Sequence, residues 1–208
     1  MENTNEQQSL RSDIYLLLAT LFRQAPSEEL IEFLAALDVE QSESAMQKAW
    51  LALQEAAQNA DRDALDDEYQ NLFIGIGRGE AVLFGSWHMT GSLMEKPLAD
   101  IRHDLELLGF EREEQIKEPE DHISALCEVM AMLTEEDLAL QQAFFNKHIA
   151  TWYDAFAQQI EGAKSADFYR SVAALLRAFG TLEQVQFSKN TKSNKHLKID
   201  VKNVTEYE

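Results

Sequence analysis

The chain has 208 residues, 45% of them hydrophobic and 26% charged, which is ordinary for a globular protein that buries a sizeable core. Its formal net charge is −19, so the chain as a whole repels nucleic acid and anionic membrane surfaces and attracts basic partners.

The charge is unevenly distributed along the chain. Residues 188–208 carry five lysines against three acidic residues, a net charge of +2, and their Leu197, Ile199 and Val201 alternate as in a strand. Residues 1–187 carry 34 acidic and 13 basic residues, a net charge of −21. We therefore expect one domain over residues 1–187 and a flexible, lysine-rich tail over residues 188–208.

The sequence also bounds the cellular setting. The single cysteine, Cys127, excludes an internal disulfide framework and a multi-cysteine metal site. The N-terminal residues are polar and acidic, unlike a signal peptide, and the longest uncharged apolar run, residues 14–22, is too short to span a bilayer. We expect a cytoplasmic protein with no stable membrane insertion.

Apolar residues recur at helical spacing along the first half of the chain. We expect a first helix that is capped by Ser9 or Ser12 and carries its apolar stripe from Ile14 to Phe22. Further helices are predicted over residues 26–37, 44–59 and 61–73. Residues 75–91 contain five of the eight glycines and are predicted to form a long irregular loop that exposes Trp87 and His88.

The second half of the chain continues the helical pattern. Helices are predicted over residues 97–108 and from Pro119 onward, then over a long segment, 136–160, and over residues 165–187. Glu120 and Asp121 would complement the positive end of the helix that Pro119 opens. Because no βαβ pattern occurs, the sequence predicts an all-α, single-domain helical bundle with one long Gly-rich loop.

Three patterns in the sequence bear on catalysis or ligand binding. The glycines at 75, 77 and 79 follow a helix and lack the lysine of a phosphate-binding loop, so a turn is favoured. A triad of Ser86, His122 and Asp121 stays open, although Asp121 and His122 are sequence neighbours that would not face each other on a helix. The five histidines show no metal-binding spacing, and we expect no catalytic residue, metal or cofactor.

Three segments together resemble one protein family. They are residues 68–75 (EYQNLFIG), residues 85–89 (GSWHM) and residues 118–122 (EPEDH). In this order and spacing they resemble the TorD/DmsD/NarJ chaperones, also called redox enzyme maturation proteins. The resemblance covers roughly residues 10–187, and the chain differs from the family pattern at His88 and over residues 91–97.

The resemblance implies an all-α cytoplasmic chaperone that is not an enzyme. Such a chaperone binds the twin-arginine signal peptide, the apo-form of a molybdenum-cofactor oxidoreductase, or both, and assists cofactor insertion before export. It also implies the client-binding residues, as a groove wall, an adjacent loop and a polar end: Tyr69, Leu72 and Phe73; Gly85, Ser86, Trp87 and His88; Glu118, Pro119, Asp121 and His122.

The acidic surface is complementary to the basic start of such a signal, and carboxylates are good acceptors for an arginine fork. Two alternatives stay open: a hydrolytic or nucleotide-dependent enzyme that uses the 75–79 loop with Asp121 and His122, and a general protein-interaction scaffold. We expect a monomer or a domain-exchanged homodimer.

Overall fold

The computed structural model describes residues 2–40, 42–75, 79–111 and 117–189, with side chains from residue 8 onward. Within these ranges the chain forms ten α-helices and no β-strand, which confirms the predicted all-α class. A π-helical turn, Gln70–Ile74, follows the fourth helix. The helices are α1 (Glu2–Arg23), α2 (Glu28–Ala35), α3 (Ala45–Gln58), α4 (Arg62–Tyr69), α5 (Gly85–Thr90), α6 (Lys96–Leu107), α7 (Ile123–Leu133), α8 (Leu138–His148), α9 (Tyr153–Glu161) and α10 (Phe168–Lys189).

Local capping sets the starts of three early helices. The side chain of Ser27 accepts a hydrogen bond from the backbone N–H three residues later at 3.3 Å. Ser44 and Asp61 do the same at 3.1 and 3.0 Å. Each cap satisfies one of the N–H groups that a helix leaves unpaired. Because the capping residue directly precedes its helix in the sequence, these helix starts lie close to the predicted positions.

Other predicted boundaries were wrong. The first helix begins at Glu2, well before Ser9 and Ser12. The predicted long segment over residues 136–160 is broken into α8 and α9. At this break the indole N–H of Trp152 donates to the carbonyl of His148 at 2.6 Å, which gives a carbonyl at the end of α8 a partner from outside the helix.

The predicted long loop was wrong over part of its length. Residues 85–90 form α5, so Trp87 and His88 lie on a short helix and are half-buried. Residues 76–78, at the centre of the glycine run, lie outside the described residues. The lysine-rich tail, with its alternating apolar residues, also lies outside them beyond residue 189.

The core is rich in aromatic side chains. Phe22 on α1 contacts the rings of Phe73, Phe156 and Tyr169, at centroid distances between 5.2 and 6.4 Å. Helix α1 packs along α7, and α10 packs on α3 and α9. None of the helices in the described ranges is long and apolar enough to cross a membrane.

Two buried carboxylates fix the ends of α10. Glu68 accepts hydrogen bonds from the backbone N–H groups of residues 167, 168 and 169 at 2.8, 3.1 and 2.8 Å, and so caps the start of the helix. Near its other end, Glu183 accepts both bonds of the Arg11 fork at 2.9 and 2.7 Å and a bond from the Tyr15 hydroxyl at 2.7 Å. These contacts join α10 to α4 and α1.

Replacing Tyr15 with Phe is expected to lower the free energy of unfolding by about 2 kcal/mol, because a buried carboxylate loses one of its donors. The T-shaped contact with Phe179, at 4.7 Å, is retained by a phenylalanine ring. Tyr153→Phe is the matched control, since its hydroxyl donates to a neutral, exposed amide, Gln184, and its loss is expected to cost about 0.5 kcal/mol. Urea denaturation measures the loss of unfolding free energy in both variants. Equal losses would show that the hydrogen bond to Glu183 stabilises the fold no more than the one to Gln184.

Candidate functional site

Two of the predicted site segments meet in space through backbone pairing. Phe84 and His122 form an isolated antiparallel bridge. The N–H of Gly85 donates to the carbonyl of Asp121, and the N–H of Ile123 donates to the carbonyl of Leu83, both at 2.9 Å. The pairing joins the residue before α5 to the residue before α7. We call residues 83–86 with residues 121–124 the junction.

Asp121 holds the start of α5 from outside that helix. Its carboxylate accepts a bond from the Ser86 N–H at 2.9 Å and a second bond from the Ser86 hydroxyl. Both side chains are fully buried. Because α5 has no side-chain cap of its own, Asp121 acts as its N-cap across 35 positions of sequence.

His122 caps α7. Its Nδ1 accepts a bond from the Ser124 N–H at 3.1 Å, and its ring meets Phe84 edge-on at 5.2 Å. Burial lowers the pKa of His122 to about 4; the nearby Arg23 also lowers it, whereas Glu118 opposes the shift. The imidazole is therefore neutral near pH 7, as an acceptor cap requires. The expectation that Pro119 opens this helix was wrong, because pairing with Phe84 keeps residue 122 extended and α7 starts at Ile123.

His88 is wedged into the core beside the junction. Its ring stacks on Trp152 at 5.1 Å and 15°, and its Nε2–H donates to the carbonyl of Val82 at 2.7 Å. A Cβ at Gly85 would lie 3.0–3.2 Å from the Trp152 indole, so α5 approaches that ring closely. Burial lowers the pKa of His88 as well. In this arrangement His88 and Gly85 help to seat α5.

The predicted groove wall lies in the core. Tyr69, Leu72 and Phe73 are buried, and the Tyr69 hydroxyl donates to the carbonyl of Phe22 at 3.1 Å. Burial, with a further contribution from Glu118, raises the pKa of Tyr69 to about 12. Glu118 therefore lies close enough to both Tyr69 and His122 to influence them. Glu118 is itself exposed.

The exposed part of the region combines charge with apolar surface. Glu120 forms an ion pair with Arg102 of α6 at 2.9 Å. Three apolar side chains are exposed at the corner between α5 and α6: Met89, Leu93 and Met94, the last of them 74% exposed with a positive φ of 58°. We call these three residues the methionine corner. Sequence analysis missed it, although two methionines around a glycine-containing turn are a usable signal for an adaptable apolar surface.

The geometry does not assemble the triad that the sequence left open. The Asp121 carboxylate bonds Ser86, and Nδ1 of His122 is occupied by the Ser124 N–H, so no Ser–His–Asp relay runs through these residues. Among the residues that the structure describes, no group of three or more His, Cys, Asp or Glu side chains is arranged to hold a metal ion.

Comparisons with known proteins match this chain to one protein family and to named chaperones. The family model of the nitrate reductase delta subunit matches residues 39–158. The chain is 28% identical over 193 residues to the chaperone protein TorD of Vibrio cholerae O395, a match that covers 81% of this chain and 88% of that protein. It is 30% identical over 124 residues to the probable Tat proofreading chaperone DmsD of Haemophilus influenzae, covering 59% and 60% of the two chains.

One solved structure shares the fold. It is a crystal structure described as a redox enzyme maturation protein from Archaeoglobus fulgidus, with a TM-score of 0.56 and 23% identity. The alignment covers 84% of this chain and 93% of that one. At 23% identity this similarity supports the fold alone.

Proposed function

The chain belongs to the nitrate reductase delta subunit family, and from this membership we propose that it is a cytoplasmic chaperone for a molybdenum-cofactor oxidoreductase. The resemblance to TorD and DmsD chaperones inferred from the three motifs is confirmed. The proposed client is the twin-arginine signal peptide, the apo-enzyme, or both. The chaperone holds the client until the cofactor has been inserted and export is permitted.

The placement of Glu118 is the observation that carries this proposal. Its carboxylate is exposed, and it is close enough to the buried side chains of Tyr69 and His122 to influence the pKa of each. An arginine fork prefers a carboxylate acceptor that is held in place. In the proposed complex, Glu118 accepts an arginine of the signal peptide.

The apolar middle of a signal peptide needs a separate surface, and the methionine corner is close by. Glu120 pairs with Arg102 of α6, and Arg102 lies about 9 Å along this helix from Lys96, where the helix begins. The methionine corner immediately precedes the start of α6. Flexible thioether side chains pack against varied apolar sequences. We propose that the corner contacts the apolar stretch and that Glu118 contacts the basic stretch.

The other predicted site residues are assigned supporting roles within the proposal. Gly85, Ser86, Asp121 and His122 are buried and hold the junction, while Leu72 and Phe73 belong to the core. Trp87, His88 and Pro119 are partly exposed at the edge of the same region. We propose that, of the residues predicted from the sequence, only these edge residues and Glu118 touch the client, together with the methionine corner.

Calorimetric titration with three synthetic peptides tests the proposal. The first is a twin-arginine signal peptide, the second has both arginines changed to lysine, and the third has both changed to alanine. Loss of the charge-assisted contact with Glu118, and of the attraction of two positive charges to an acidic protein, is expected to weaken binding of the alanine peptide about tenfold. The lysine peptide should fall between the other two, because lysine keeps the charge but not the bidentate geometry.

Glu118→Gln should weaken binding of the twin-arginine peptide about threefold to tenfold, because one partly solvated ion pair is lost. The variant is expected to be as stable as the parent, since the side chain is exposed. Glu55→Gln on α3, also exposed, makes the same change in net charge away from the junction and should leave binding unchanged. Equal weakening in both variants would indicate general charge attraction and would remove Glu118 from the site.

A further peptide and a turnover assay separate the two alternatives, the scaffold and the enzyme. A general scaffold would bind basic peptides equally well with or without an apolar middle, which a peptide with serines in that stretch tests. An enzyme would show a turnover that disappears in a folded His122 variant. No binding to several twin-arginine peptides by well-folded protein would refute the proposed chaperone function.

A further inference from the structure

A second apolar surface lies on the face of the bundle formed by α1, α2 and α3. A groove of about 540 Å³ runs between α1, the connection from α2 to α3, and the start of α3. At its edge Leu10 is 58% exposed and Phe33 is 60% exposed. Its apolar lining consists of Leu10, Ile14, Leu17, Phe33, Leu37, Val39, Met46 and Trp50.

Within the described part of the chain, the charged residues that line the groove are all acidic. They are Asp13 on α1 and Asp38 and Glu40 in the connection, and all three are exposed. No lysine or arginine occurs among the lining residues that the structure describes. An apolar floor with an acidic rim fits an occupant in which apolar and basic side chains alternate.

The chain itself contains such a segment. Residues 190–202 carry four lysines and one acidic residue, Asp200. Within this stretch, Leu197, Ile199 and Val201 alternate with polar residues. In an extended chain, side chains two positions apart point to the same side, so the three apolar residues would form one edge.

The end of α10 lies near the groove. Phe187 lies under the Arg11 guanidinium at 5.6 Å, and its carbonyl accepts a bond from the Gln142 side chain at 2.7 Å. Arg11 adjoins Leu10, a residue of the groove. Lys189, the last residue of α10, therefore lies within about 20 Å of Leu10, and ten residues of extended chain span about 33 Å.

We propose that residues 190–202 of the same chain bind in this groove, with their lysines beside Asp13, Asp38 and Glu40 and their apolar edge against Phe33 and Trp50. The contact covers an apolar surface that the helices leave exposed. It also gives the basic tail a role within an acidic protein. This inference is independent of the proposed client site, which lies at the junction.

A spin label in the tail tests the proposal on the full chain. Ser193→Cys provides one reactive thiol, because the native Cys127 is buried and its burial raises the pKa of the thiol. With a nitroxide at position 193, we expect selective loss of amide signal intensity at Leu10, Phe33 and Trp50. Amides of Leu107 and Met132, on α6 and α7, should keep their intensity.

Two charge variants make the test specific. Asp38→Lys with Glu40→Lys should restore the signals at the groove, and so should about 1 M salt, at which the Debye length falls to about 3 Å. Asp66→Lys with Asp67→Lys makes the same change in net charge on exposed residues of α4, which meets the opposite end of α10. It should leave the broadening unchanged. Replacing Lys192, Lys195 and Lys198 with Glu alters only the tail and should also restore the groove signals.

Three results would overturn the proposal. One is broadening that is absent or lies away from the groove. Another is broadening in a mixture of isotope-labelled chain with separately spin-labelled chain, which would place the tail on a second copy. The third is a groove untouched by the tail whose amides shift when a twin-arginine peptide is added, which would assign the surface to a basic client.

Discussion

Asp121→Ala is expected to lower the free energy of unfolding by about 3 kcal/mol, because it leaves two buried donors of Ser86 without an acceptor. Asp121 is 1% exposed and Ser86 is fully buried, so water does not readily replace the carboxylate. For a chain of this size the midpoint of thermal unfolding should fall by about 6–12 °C. The start of α5 should lose its protection against amide hydrogen exchange first.

Two variants calibrate this result. Asp121→Asn retains an acceptor for the Ser86 N–H but removes the charge, so we expect a loss of about 1 kcal/mol. Glu120→Ala, at the adjacent position, breaks an ion pair between a half-exposed arginine and a glutamate side chain that is 14% exposed, and its cost should be about 1 kcal/mol. If Asp121→Ala were as stable as the parent and yet lost peptide binding, the carboxylate would be a direct ligand and the capping role would be wrong.

Asp121 also shows where sequence reasoning reached its limit. Ser27, Ser44 and Asp61 cap their own helices, and a cap that lies beside its helix in sequence is readable from local pattern. Helix α5 has its cap 35 positions away, and it starts with a glycine, so no local signal distinguishes it from a loop. The resemblance singled out Asp121 without indicating whether it binds a client or supports the fold.

The break between α8 and α9 follows the same logic. No proline or glycine occurs between Ile149 and Trp152, so periodicity alone continues the helix. The chain turns there because Trp152 packs against Gly85 and His88 from a distant segment. Helix content was predictable because apolar spacing is a local property. The breaks and the burial of the motif residues were not, since they depend on tertiary contacts.

The family motif at residues 118–122 thus divides into two kinds of residue. Asp121 and His122 face inward and cap two different helices, α5 and α7, at one point. Glu118 faces outward beside them. In the proposed complex, substitution of the buried residues would disturb client binding indirectly, by moving the exposed carboxylate of Glu118. Binding data on such variants need stability data beside them.

His122→Asn is expected to make the protein less sensitive to acid. In the folded chain burial lowers the pKa of His122 to about 4, below the ordinary value of 6.5. The unfolded state therefore binds the proton first, so the stability that depends on neutral His122 is complete above about pH 6.5 and is lost toward pH 4. Between about pH 7.5 and pH 4.5 the loss amounts to about 2.5 kcal/mol.

Asparagine isolates this effect because it retains an acceptor for the Ser124 N–H and does not titrate. At about pH 7.5 the variant should be less stable by about 1 kcal/mol, since the edge-on contact with Phe84 is lost. At about pH 4.5 the order should reverse. His88 and His148, whose pKa values burial also lowers, remain in both proteins and cancel in the comparison.

Urea denaturation at several pH values measures the two stability curves, and an NMR titration of the His122 ring measures its pKa directly. Parallel curves would mean that His122 gains no protection from protonation by burial. Glu118→Gln provides an internal check, because the Glu118 carboxylate opposes the shift, so its removal should lower the pKa of His122 further. A lower pKa of His122 in Glu118→Gln, with unchanged stability near neutral pH, would demonstrate that the exposed carboxylate of Glu118 lies close to the buried ring of His122.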